Sequence, residues 1–148
     1  VLLKRPLAGY YVTYIADEAV PFTGVIEMSA LVDPAEHFGG HSLVYLPRYA
    51  MIDDPYFEMT DDEVETRFLA GLAKIYPAVG RDDVLAFRLS RVRNVYAIST
   101  LNYSDRLPPM TTSVPGLHIV NSAQIVNASL AVNESVALAE QAVPRLLA

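Results

Sequence analysis

The run Thr60-Asp61-Asp62-Glu63 constrains this chain more than any other segment. A threonine three residues before a glutamate is the capping-box pattern: the hydroxyl accepts from one backbone amide and the carboxylate from another, satisfying two donors that a helix start leaves unpaired. The spacing predicts a helix beginning here. Val64, Phe68, Leu72 and Ile75 follow at intervals of four, four and three, with Leu69 beside them, and draw one apolar stripe that Pro77 and Gly80 bring to an end. Three acids crowd the first turn, where the helix dipole favours negative charge.

The first fifty residues are patterned for strands instead. Tyr10-Tyr11-Val12-Thr13-Tyr14-Ile15 is aromatic and β-branched, and Ser42-Leu43-Val44-Tyr45-Leu46 follows a Gly39-Gly40 break. Between them, Gly24-Val25-Ile26-Glu27-Met28-Ser29-Ala30 sets Ile26, Met28 and Ala30 on one face against Glu27 and Ser29 on the other. Three strands with short links predict an antiparallel meander. Past the helix, Leu85, Phe87 and Leu89 alternate as a strand does, but Arg91-Val92-Arg93 inverts the phase, which predicts a bulge or bend near Ser90. The stretch from Asn94 to Gly116 carries Pro108, Pro109 and Pro115 and reads as a long ordered loop. Leu117-His118-Ile119-Val120 reads as a short buried strand, and residues from about 129 to 143 as a helix with Val132, Val136, Ala139 and Val143 on one face, ended or kinked by Pro144. The expected fold class is α+β, an antiparallel or mixed sheet with two main helices. Residues 1–116 are expected to form a sheet-and-helix part and residues 117–148 a strand–turn–helix, packed as one unit.

Composition narrows the partners. With 148 residues, 52% of them apolar, the chain is large enough to bury a core as one domain. A formal charge of -6 opposes the basic footprint of a nucleic-acid binder, and no apolar run approaches the roughly 18 residues of a membrane span, so a soluble, cytoplasmic setting with no nucleic acid and no membrane is expected. The absence of cysteine excludes disulfides, thiolate metal sites and a cysteine nucleophile. No Gly-x-Ser-x-Gly stands in the sequence to suggest a serine hydrolase. His37 and His41 have the spacing of two imidazoles on one helix face, but Gly39-Gly40 between them breaks that helix and no third ligand is placed, so no metal is expected. The chain starts in mid-pattern without Met and is expected to be a piece of a longer protein.

Chemistry concentrates at the carboxyl end. Asn121, Ser122, Gln124, Asn127 and Ser129 lie between the expected strand and helix, where unpaired backbone amides and a partial positive charge suit a phosphate or the electron-rich edge of a flavin. Small Ala128, Ala131, Ser135 and Ala139 would let a flat ligand or a neighbouring strand come close to that helix. Arg88, Arg91 and Arg93 cluster within six residues; they suit an anionic substrate, or they form a solvated face paired with the seven carboxylates between Asp53 and Glu65.

Pro115-Gly116-Leu117-His118-Ile119-Val120-Asn121, followed by Ala131-Val132-Asn133-Glu134-Ser135-Val136-Ala137-Leu138-Ala139, resembles the carboxy-terminal signature of the flavin-containing amine oxidase and protoporphyrinogen-oxidase-like superfamily. Gly39-Gly40 with Leu43-Val44-Tyr45-Leu46, and the loop from Tyr96 to Tyr103, are similar to the substrate-binding part of such enzymes. The resemblance implies a carboxy-terminal fragment of an FAD-dependent oxidoreductase that takes hydride from a C–N or C–C bond. It implies Asn121 and Ser122, in place of the family's Gly-Asp, near the ribityl and phosphate groups, with Ala128, Ser129 and Leu130 facing the flavin edge. It implies Tyr96, Tyr103 and Arg91 toward a small-molecule substrate, and no assigned general base. No Gly-x-Gly-x-x-Gly is present to cradle a pyrophosphate, so the resemblance further implies a missing amino-terminal Rossmann part as partner, a chain inactive and without FAD by itself, and self-association through the surface left uncovered. Two alternatives stay open: a stand-alone binding module without redox activity, and part of a flavin-dependent sugar mutase-like isomerase.

Overall fold

In a computed structural model, which describes residues 1–95, 97–126 and 131–146, the capping box does what its spacing demands. The helix α2 spans Asp61–Ile75; the Thr60 hydroxyl accepts from the Glu63 amide at 3.3 Å, and the Glu63 carboxylate accepts from the Thr60 amide at 2.8 Å. The bonds from the Thr60 amide and hydroxyl hold the Glu63 carboxyl below the usual carboxylate range. Val64, Phe68 and Leu72 of the expected stripe are buried, and Ile75 packs at its edge.

The other strands and helices of the first ninety-one residues are β1 (Leu2–Leu3), β2 (Val12–Tyr14), β3 (Gly24–Glu27), α1 (Pro34–His37), β4 (Ser42–Tyr45) and β5 (Val84–Ala86). The strands form one sheet in the order β2-β3-β4-β1-β5, every pairing antiparallel, so the fold is α+β. The meander β2-β3-β4 is the one the sequence predicts. β1, which no pattern announces, is two residues long and sits between β4 and β5. The Val1 amine donates to the Val44 carbonyl at 2.8 Å and the Val44 amide to the Val1 carbonyl at 2.9 Å, extending that pairing.

Register and alternation put Leu3, Val25, Glu27, Ser42 and Val44 on one sheet face. Leu3, Val25 and Val44 join Val20 and Phe22 from the β2–β3 connection and the stripe of α2 in a single core. Phe22 and Tyr56 both pack on Phe68, at ring-centroid distances of 5.6 and 5.8 Å.

This register overturns the expected face of β3: Val25 and Glu27 are buried and Ile26 is half-exposed, while Met28–Ala30 leave the sheet as a 3-10 turn. The cause is the Glu27 carboxylate, only 2% exposed. It accepts from three consecutive amides, Leu7 at 2.8 Å, Ala8 at 3.2 Å and Gly9 at 3.1 Å. The hydroxyls of Ser29 and Ser42 reach it at 3.4 Å and lie 2.6 Å from each other. Converging amides of this kind form an anion-binding hollow, and the left-handed backbone of Gly9, φ +73°, completes the bend. The acid is therefore an internal clasp between the loop after β1 and the sheet.

A second phase expectation also moves. Leu3 pairs with Val84 and Leu2 with Ala86, so the extra residue is Leu85 and the bulge lies there, not near Ser90. Leu85 is exposed, and Val84, Phe87 and Leu89 pack against the core. Arg5 ties this end of the sheet to Asp83; a bond from the Gly80 amide and then the Arg5 guanidinium hold the Asp83 carboxyl below its ordinary range.

The chain divides into two compact units, Val1–Arg91 and Val92–Ala148. The second contains 3-10 turns at Tyr103–Arg106 and Ser122–Gln124 and the helix α3, Val132–Leu146. Pro144 does not end that helix, which runs on to Leu146, although the ring removes the amide that would bond the Glu140 carbonyl.

Two substitutions test the first unit. Glu27→Gln places an NH2 group among donors and should cost about 2–3 kcal/mol, read by amide hydrogen exchange on α2; protection unchanged from wild type would show that the clasp is dispensable. Gly71→Ala should gain up to about 1 kcal/mol from helix propensity alone, yet its Cβ would stand 2.6 Å from Pro21 Cδ and 3.2 Å from Phe22 Cε1. A net loss of about 1–3 kcal/mol in urea unfolding is expected, and a gain would contradict the packing described.

Candidate functional site

The site predicted at the carboxyl end is built around a turn rather than a strand. Leu117-His118-Ile119-Val120 forms no ladder: the pairing is one bridge, Thr111 with His118, supported by Ile119 amide to Met110 carbonyl at 2.8 Å around a Pro115-Gly116 bend with Gly116 at φ +79°. Pro108 and Pro109 just before the opposing segment supply no amides with which to extend it. His118 is exposed, not buried.

Asn121 enters the next turn extended and exposed, and its Oδ1 accepts from the Ala123 amide at 2.8 Å. Gln124, only 7% exposed, answers it: Gln124 Oε1 accepts from the Asn121 amide at 2.9 Å, while Nε2 donates to the carbonyls of Pro108 at 3.2 Å and Ile119 at 3.1 Å. One side-chain amide thus joins three stretches of chain. Tyr103 adds a fourth, its hydroxyl donating to the Ala123 carbonyl at 2.6 Å. That bond gives the tyrosine a positioning task on the turn. Asn121-x-x-Gln124 repeats the cap spacing of Thr60-x-x-Glu63, the sequence signal for this role of Gln124.

Beside this turn lies an open groove of about 430 Å³ lined by Ser122, Val95, Ala131 just before α3, and one face of α3: Val132, Ser135, Val136 and Ala139. The small residues noted in the sequence at 131, 135 and 139 are one or two turns apart on that face, so the helix backbone is thinly covered there. Ser135 turns its hydroxyl back to the Ala131 carbonyl at 3.1 Å, leaving a largely apolar wall. Val132 and Val136 are exposed, as is Val143, and the buried residue of α3 is Ala142.

The remaining site residues fall elsewhere. Tyr96, Ala128, Ser129 and Leu130 lie outside the described residues. Arg91 belongs to the first unit, where its guanidinium donates to the carbonyls of Tyr56 at 3.1 Å and Met59 at 2.8 Å and to Asp61 Oδ1 at 2.6 Å. It fastens the segment before α2, in the acid-paired manner that the carboxylates between Asp53 and Glu65 allow. α1 ends at His37, and Gly39 and Gly40, at φ +60° and +82°, separate it from His41. Among the described residues no three acids or histidines gather to hold a metal, and no helix is long and apolar enough to cross a membrane.

A scan against protein-family models found no match, and searches of curated proteins and of solved structures found none. Function therefore has to be argued from the groove.

Gln124→Leu keeps the volume and removes three hydrogen bonds, leaving the Ile119 and Pro108 carbonyls and the Asn121 amide unpaired. It should cost about 2–4 kcal/mol and Tyr103→Phe about 1 kcal/mol, both read as faster amide exchange across 121–125; equal, unchanged protection in the two variants would remove the turn from the account.

Proposed function

We propose that this chain is the carboxy-terminal part of an FAD-dependent oxidoreductase of the amine-oxidase type, supplying a substrate pocket and the helix that meets the flavin. The observation that carries the reading is the groove between Ser122 and the small-residue face of α3. Its volume of about 430 Å³ lies within the roughly 300–1,000 Å³ of small-molecule sites. Its lining suits a flat, apolar ring system: Ala131, Ser135 and Ala139 hold side chains short, and Val132 and Val136 offer apolar edges. These residues overlap the segment that carries the sequence resemblance.

When bound, a flavin supplies the capacity to accept hydride from a C–N or C–C bond. The residues of this chain bind and orient. Ser122 lines the groove with a hydroxyl able to donate or accept, Asn121 and Gln124 fix the turn that carries it, and Val132 and Val136 would exclude water from the ring's side once a ligand covers them. A stand-alone binding module is the second reading, in which the same groove holds a ligand without redox chemistry.

Lumiflavin, the ring system without a ribityl or nucleotide tail, isolates the groove from any pyrophosphate site. Titrating it into the purified chain should quench its fluorescence saturably, and Ala139→Leu, at an exposed position in the groove wall, should weaken that binding about tenfold or more. Absence of saturable quenching, or identical binding by Ala139→Leu, would defeat the flavin assignment.

A further inference from the structure

The first unit carries a second concavity, of about 560 Å³, between α2 and the segment before β3. Three of the eleven basic residues in a chain of net charge -6 line it, Arg48, Arg67 and Lys74, against one lining carboxylate, Glu18. Its floor is apolar and low. Arg67 and Lys74 stand seven residues apart on one face of α2, and between them exposed Ala70 holds its side chain short while Pro21 is seated on buried Gly71.

The three cations differ in commitment. Arg48 is fixed: it donates to the Pro21 carbonyl at 3.1 Å and to Asp54 at 2.7 Å, with its guanidinium 4.2 Å from the centre of the Tyr56 ring. A bond from the Tyr56 amide, then the Arg48 guanidinium, hold the Asp54 carboxyl below its ordinary range, so this pairing persists into mild acid. Lys74 reaches Asp17 at 2.6 Å, but both side chains are 52% exposed, and a pair so open to water exchanges readily for a competing anion. Arg67 is the uncommitted one. Its guanidinium lies 6.0 Å from the Tyr56 ring and makes no hydrogen bond or ion pair among the described residues; the nearby Glu63 carboxylate is already engaged by Thr60. An arginine presenting an unused fork, a second cation one helix face away and an apolar floor between them match an anion attached to an apolar body.

We propose that this cleft binds a soluble organic phosphate monoester, the phosphate held by Arg67 and Lys74 and the organic part resting on Ala70 and Pro21. Every residue involved belongs to the first unit, so the inference stands apart from the flavin reading.

Phenyl phosphate is the probe, with inorganic phosphate alongside it, in calorimetric titrations of the full chain backed by amide chemical shifts. Phenyl phosphate should bind saturably and several-fold more tightly than inorganic phosphate, shifting the amides of Ala70 and Gly71. Arg67→Gln, at an exposed helix position, should weaken it about tenfold or more. Arg81→Gln, which removes a surface partner of Glu65 elsewhere on the unit, should leave it unchanged. Lack of saturable binding, equal affinity for the two probes, or equal loss in both variants would overturn the proposal.

Discussion

A single carboxylate with no ion-pair partner among the described residues organises the sheet. Glu27 carries a charge into a position where water is excluded, and burial of that kind is tolerated only when every lone pair is met. Here the demand is met by three amides of one loop and two serine hydroxyls, Ser42 on β4 and Ser29 in the turn after β3. The strands are only two to four residues long, so their ladders offer few bonds by which to choose a register. Slipping β3 by one residue would turn Glu27 to the opposite face and strand three amides. The clasp thus selects the pairing that lets Val25 and Val44 meet α2.

The second unit solves the same problem with a neutral group. Its described residues bury little beyond Gln124, Ile125 and Ala142, and large apolar side chains such as Ile98, Leu101 and Val132 remain open to solvent. With a core so small, directional bonds from Gln124 and Tyr103 decide where the chain goes. The groove beside α3 follows from that arrangement: alanine and serine there leave room that leucine would fill. Exposed apolar surface on this scale is what a ligand or a further protein surface ordinarily covers.

Legibility in the sequence followed the range of the interaction. The cap of α2 and its stripe depend on residues three and four apart, and both were readable. β2, β3 and β4 were readable as elements, because β-branched and aromatic runs mark them whatever their neighbours. The inward turn of Glu27 was not, since the three amides it accepts from lie eighteen to twenty residues away and no local rule makes an acid seek them. β1 was missed because two leucines define no period, and the strand at 117–120 was overread because a short apolar run says nothing about whether a mate exists. At the site, the small residues of α3 announced a surface that admits close approach, and the arginine cluster announced the pairing with the 53–65 carboxylates that Arg91 makes with Asp61, but not its bonds to the carbonyls of Tyr56 and Met59.

Leu85 makes chain length as well as side-chain chemistry a determinant of this fold. If Leu85 were instead drawn into an even ladder with β1, each later position would swap sides, sending Phe87 and Leu89 into water and bringing Arg88 toward the core; opposing two residues to one keeps them inward. The sheet is in this sense tuned by counting: one residue removed between Val84 and Phe87 leaves the edge's polarity intact, and both removed invert it.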